Sequence, residues 1–149
     1  MKYLLAFVLC SLSFITFAHE SEFDSELAEK LQADAYGMKQ YVLVVLLTGG
    51  NTDISEEEKK KAFAGHFSNM KALAEQQKLV VAGPFIESAP KRGLFIFNTD
   101  SIEEAQQWVN TDPAVKAGIF TYELNKIYSS AALMLVNDHH ATLAEKNMD

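Results

Sequence analysis

A chain of 149 residues favours one domain, and 48% hydrophobic with 22% charged residues is enough to bury a core. The formal net charge of −7 argues against nucleic acid and against anionic membrane surfaces as partners. The single cysteine, Cys10, falls in an N-terminal segment read below as removed, which excludes disulfides, thiolate catalysis and cysteine-ligated zinc for the rest of the chain.

Residues 1–18 have the pattern of a secretory signal peptide: Lys2, an apolar stretch from Leu4 to Phe17, and Thr16-Phe17-Ala18 before a cut. The apolar stretch is shorter than the roughly 20 residues a membrane-spanning helix needs. The polar run His19-Glu20-Ser21-Glu22 follows at once. The mature chain is therefore expected to start at His19, in the periplasm or outside the cell, with no membrane association after cleavage. Losing Lys2 leaves 12 basic against 20 acidic residues, a formal charge of −8.

Residues 19–38 predict an N-terminal helical extension. Phe23, Leu27, Ala28 and Leu31 recur at helical spacing, Asp24 or Ser25 supplies a cap, and Gly37 is the expected stop. Tyr41–Leu47 is an unbroken apolar run, too short for an ordinary helix, and predicts a buried central strand. Ser55 and Glu58 form a capping box that starts a helix running to about Gln77. Its expected buried stripe is Phe63, Phe67, Met70 and Ala74, with Ala62 and Leu73 beside it. Leu79–Ala82 and Gly93–Phe97 predict two strands joined by a hairpin connection containing Pro90.

Ser101 and Glu104 repeat the capping-box pattern, and Ile102, Ala105, Trp108 and Val109 give that helix its apolar face. Asp112-Pro113 interrupts it, because the residue before proline avoids the helical region. Phe120, Tyr122 and Leu124 alternate with polar residues, so a last strand runs to about Tyr128. The order β-α-β-β-α-β is that of an α+β, ferredoxin-like fold with an antiparallel sheet. Two helices cover one sheet face. Apart from the terminal segments the chain supplies no cover for the other, and pairing with a second copy is the simplest way to bury it, so a homodimer is expected. The domain boundaries are 19–38 for the extension, 39–131 for the main domain and 132–149 for a C-terminal tail.

A series of segments carries a family resemblance. It comprises His66 with Lys71-Ala72-Leu73, then Leu79-Val80-Val81-Ala82-Gly83-Pro84-Phe85, Arg92-Gly93-Leu94-Phe95-Ile96-Phe97, and Asp112-Pro113-Ala114-Val115-Lys116-Ala117-Gly118-Ile119-Phe120. Over roughly residues 39–130 the chain resembles the YCII-like family. The resemblance implies a dimeric α/β barrel and a pocket holding a paired histidine and aspartate, which fall on His66 and Asp112. The family is similar in architecture to muconolactone isomerases and some small monooxygenases, and a few relatives are dehydrochlorinases of ring compounds.

The residues themselves leave alternatives open. His66 falls inside the helix stripe and so points at the sheet or at a cavity. It is either a buried histidine satisfied by a carbonyl or a general acid or base. Asp112 reads as an N-cap with Pro113 at the first helical position, the turn closing at Gly118. The same side chain can also orient His66, fixing its tautomer. Gly83 and Pro84 either let a ligand approach the backbone or end a strand. Arg92 either binds a carboxylate or is solvated. His139 and His140 belong to a tail expected to lack structure, and no metal site or cofactor is indicated. Joined to these readings, the resemblance implies a small-molecule enzyme of isomerase, lyase or dehydrochlorinase type, acting on a small organic molecule. The alternative is a non-catalytic module that binds a small ligand, or haem through His66.

Overall fold

The computed structural model describes residues 22–87 and 89–146. The predicted signal segment, with its cut before His19, lies outside the described residues. Within them the order is helix α1 (Ser25–Lys30), strand β1 (Met38–Thr48), helix α2 (Glu56–Glu75), strands β2 (Leu79–Pro84) and β3 (Lys91–Phe97), helix α3 (Ile102–Val109), helix α4 (Pro113–Lys116) and strand β4 (Phe120–Ser130). A 3-10 turn (Ala131–Leu135) and helix α5 (Val136–Leu143) follow. The sheet is antiparallel throughout, in the order β2-β3-β1-β4. This is the α+β, ferredoxin-like arrangement expected from the sequence.

The long apolar run becomes β1, an inner strand. Its residues alternate: Val42, Val44 and Leu46 are buried, whereas Leu43, Val45 and Leu47 are partly exposed. Register sets the faces. Val42 pairs with Phe97 and Lys126, and Val44 with Phe95 and Leu124, so these share the helix-covered face. That face forms the core with Leu73, Leu79, Ala105, Val109, Ala114 and Phe120. On the second face Leu43 pairs with Ile96 and Val45 with Leu94.

The C-terminal segment departs from the expected unstructured tail. The 3-10 turn packs against β1 and β2, and Asn137 Nδ2 donates to Leu79 O at 2.8 Å. Ala131 is buried there. Tyr41, on the second face, is fully buried, and its hydroxyl donates to Ser130 O at 3.0 Å. The tail thus closes one end of the second face and leaves the rest of it open.

One helix end departs from expectation, and the other, close to the expected Gln77, closes in the same way. Helix α1 stops at Lys30 rather than at Gly37, because Gln32 takes a left-handed φ of 57° and Ala33 N–H reaches back to Ala28 O at 2.9 Å. Helix α2 ends at Glu75, with Gln77 at φ 56° and Lys78 N–H bonded to Leu73 O at 2.9 Å. Both are helix-ending motifs that normally use glycine. Gly37 instead serves the turn into β1, donating to Asp34 O at 2.9 Å.

The capping box at Ser55 and Glu58 forms in full. The one expected at Ser101 forms only half. Ser101 Oγ accepts from Glu104 N at 3.1 Å, but the Glu104 carboxylate takes the Thr99 hydroxyl at 2.6 Å, and Ser101 N donates to Thr99 Oγ1. Within α2 the buried residues are Ala62, His66 and Leu73. Phe67, expected in the stripe, is 42% exposed on its rim.

Candidate functional site

The site is set by two short pieces of helix. Asp112 ends the α3 region and caps α4: its backbone is extended, Oδ1 accepts from Ala114 N at 2.8 Å, and Pro113 occupies the first helical position. Gly118, at φ 69°, closes the turn as the sequence indicates. His66 sits at the middle of α2 and faces the sheet. Helices α2 and α4 are in contact, which brings the two side chains together.

His66 Nδ1 lies 2.6 Å from Asp112 Oδ2. His66 is 7% exposed and Asp112 0%. Each Asp112 oxygen therefore has one partner, the histidine ring on one side and the α4 amide on the other. An ionised carboxylate can only accept, so a neutral imidazole beside it carries its proton on Nδ1. That leaves the Nε2 lone pair free. Among the described residues, no buried side-chain nitrogen or oxygen lacks a hydrogen-bond partner. Nε2 has no protein partner among them, so it keeps contact with solvent.

Four phenylalanines surround the imidazole. Phe95 stacks on it with centroids 5.9 Å apart, and Phe63, Phe67 and Phe120 meet it edge-on at 6.2, 5.4 and 5.5 Å. Phe95 and Phe120 come from β3 and β4, and Phe63 and Phe67 flank His66 on its own helix. An aromatic wall of this kind lowers the local dielectric and strengthens the one polar contact inside it. The chemistry available is proton transfer at Nε2, with the ring held by Asp112.

The other residues singled out in the sequence lie elsewhere. Gly83 pairs with Leu94 and so belongs to the second sheet face. Pro84 is exposed on β2, an edge strand where a missing amide donor is tolerated. Arg92 is exposed in β3, where the pairing with β1 shifts register between Leu46 and Leu47. His139 and His140 are exposed on α5. Among the described residues no group of three or more His, Cys, Asp or Glu is placed to hold a metal ion.

A second polar cluster escaped the sequence reading. Lys39 Nζ donates to Gln32 Oε1 at 2.9 Å and to Asn98 Oδ1 at 2.7 Å, and lies over the Tyr41 ring. Asp34 Oδ1 accepts from the Tyr36 and Met38 amides at 2.9 and 3.0 Å, while Oδ2 takes the Tyr128 hydroxyl. The Tyr128 hydroxyl, with the backbone amides, holds Asp34 below the usual carboxylate range, and Asp34 in turn raises Tyr128. Partial burial lowers Lys39. These side chains line a groove of about 520 Å³ at the Met38 end of β1, sharing no residue with the surroundings of His66. Their polar groups are paired with one another, so the cluster fastens the extension to the sheet. No sequence signal marks it, because its members are far apart along the chain.

Comparison with known proteins gives one solved structure of note. It is 5-chloro-2-hydroxyhydroquinone dehydrochlorinase from Burkholderia phenoliruptrix AC1100, in complex with 2,5-dihydroxybenzoquinone. The two chains are 20% identical, with a TM-score of 0.40, over 59% of this chain and 90% of that one. No curated protein matches the chain. The model of the YCII-related domain matches residues 42–126, more than half of the chain and all of the sheet core from Val42 to Lys126. The chain belongs to the YCII-related domain family.

Proposed function

We propose that this protein is an exported, homodimeric small-molecule enzyme in which His66 is the general acid or base and Asp112 orients it. The observation that carries this reading is the 2.6 Å contact between His66 Nδ1 and Asp112 Oδ2, inside a ring of phenylalanines, with Nε2 left free. A structural histidine has no need of a carboxylate that is itself fully buried. A proton-transfer site needs one, to fix the tautomer and to balance the imidazolium that forms.

The reaction begins with a C–H or O–H proton of the bound molecule passing to Nε2. Asp112 then faces a cationic ring across its hydrogen bond. In an isomerisation the imidazolium returns the proton to another atom of the substrate. In an elimination the electron pair left on carbon forms a double bond, and the leaving group departs with its own pair. Membership of the YCII-related domain family supports a small-molecule role of this kind. The aromatic wall favours a flat, partly apolar organic acid over a phosphorylated one.

The signal pattern of residues 1–18 supports export to the periplasm or beyond. The half-exposed second sheet face, with Leu43, Val45, Leu94 and Ile96, supports pairing of two copies.

The test is substrate-independent at first. Cyclic hydroxy and halogenated organic acids are screened by thermal shift, and ligands that bind are incubated in deuterated water with the mature protein. Exchange or turnover in wild type, reduced about 10²–10⁴-fold in His66→Gln, is the expected result. Equal exchange by wild type and His66→Gln would sink the proposal.

A further inference from the structure

Resting on the dyad just described, we infer that Gly65 is a positioning residue: the lack of a side chain there sets the distance between His66 and Asp112. Gly65 lies in the middle of α2, where alanine is the better helix former. Helix propensity gives no reason for a glycine at that position. Packing does. A Cβ built on Gly65 would stand 2.7 Å from Pro113 Cγ and 3.0 Å from Pro113 Cβ. Gly65 precedes His66 and Pro113 follows Asp112, so the glycine–proline contact and the histidine–aspartate hydrogen bond join the same two elements one residue apart.

The contact is rigid on both sides. Pro113 is tied into its ring and into the first turn of α4, and ring pucker moves Cγ far more than Cβ. Ordinary carbon–carbon contact needs roughly 3.5 Å. A side chain at position 65 therefore pushes the α4 turn outward by about 0.8 Å, judged from the 2.7 Å approach. The His66–Asp112 contact, now 2.6 Å, would move beyond the normal hydrogen-bond limit of about 3.2 Å if it opened by that amount. Gly49 N donates to Ile119 O at 2.7 Å and Asn51 N to Gly118 O at 3.1 Å, which ties the segment that follows α4 to the loop after β1. Asn51 Nδ2 adds a bond to Ala117 O at 2.8 Å.

The experiment reads the geometry directly by NMR, through the His66 Nδ1-bound proton, which a short hydrogen bond to a buried carboxylate protects from exchange. In wild type and in the control Gly50→Ala, where an added Cβ meets nothing within 4 Å, the signal is present. In Gly65→Ala it is lost to exchange with water or moves upfield. Gly65→Ala with Pro113→Gly, which removes both close atoms, Cγ and Cβ, brings it back. A folded Gly65→Ala protein with an unchanged signal overturns the inference. If Gly65→Ala alone does not fold, the double variant decides: a folded protein with the signal upholds the inference, and anything else overturns it. Absence of the signal in wild type would instead count against the dyad, and hence against the proposed function itself.

Discussion

Asp112 holds two donors with two oxygens, and this makes its amide analogue informative. In Asp112→Asn only one oxygen remains to accept, while Ala114 N–H and the His66 ring both seek an acceptor. Keeping the cap turns the amide nitrogen toward His66 and forces the ring to accept at Nδ1, which moves the proton to Nε2. The prediction is a tautomer switch visible in the nitrogen spectrum of His66, with catalytic rate down about 10²–10⁴-fold. If the ring wins the oxygen instead, loss of the cap costs about 1 kcal/mol in denaturant melts. A mutant with both the original tautomer and full stability would show that Asp112 does neither job. Tyr41 makes a second case at this scale. Its burial pushes the phenol up to about 12. The native state holds that proton more tightly than the unfolded chain, whose phenol titrates near 10. The stabilisation is therefore complete below about pH 10 and is lost between about pH 10 and 12, at up to ~1.4 kcal/mol per pH unit. Spectroscopic titration should show one late phenolate step that Tyr41→Phe removes.

At the scale of elements, the extension is the part whose attachment can be switched. Helix α1 has six residues and buries none of them, so its place depends on the polar cluster of Asp34, Lys39, Asn98 and Tyr128. Asp34 is depressed below its ordinary value, first by the Tyr128 hydroxyl and then by backbone amides. Its contribution is present above the unfolded carboxylate pKa and is lost as pH falls through the lower folded one. Protection of the Tyr36 and Met38 amides should therefore fall below about pH 4 while the rest of β1 and β4 stay protected. Asp34→Ala should do the same at neutral pH. Protection that is unchanged in Asp34→Ala would mean that the extension is held by something else.

What the sequence could and could not reveal follows from the range of each interaction. The strands, the full capping box at Ser55, the Asp112-Pro113 turn and the Gly118 stop were legible because each is written within a few consecutive residues. The position of His66 on the buried side was legible from helical spacing. Its pairing with Asp112, 46 residues away, came from family resemblance and not from periodicity. The early end of α1 and the split capping box at Ser101 were hidden, because Gln32 and Thr99 are not residues that announce those roles. The Lys39 cluster joins residues 59 apart, and no local pattern encodes that.

For the whole molecule, the decisive question is what covers the second sheet face. Leu43, Val45, Leu47, Leu94 and Ile96 share it, each only partly buried, while Val42, Val44, Phe95 and Phe97 on the first face are sealed. The tail closes over Tyr41 but not over Val45 and Leu94, which pair directly with one another in register. A patch of this kind next to a solvated β4, with Glu123 opposite Val45, offers an apolar centre and a polar rim. Two copies meeting there would bury on the order of 1,200–2,000 Å² in total, enough for a stable dimer. The prediction is a dimer in sedimentation at micromolar concentration, and a monomer with unchanged helix content in Val45→Asp. On an open face that carboxylate stays in water and costs little; at a paired face it is buried without a partner, at a cost of several kcal/mol. Val44→Asp serves as the contrast, because it points into the core and should unfold the chain at any concentration. A wild-type monomer, or a Val45→Asp variant that still sediments as a dimer, would place the contact elsewhere.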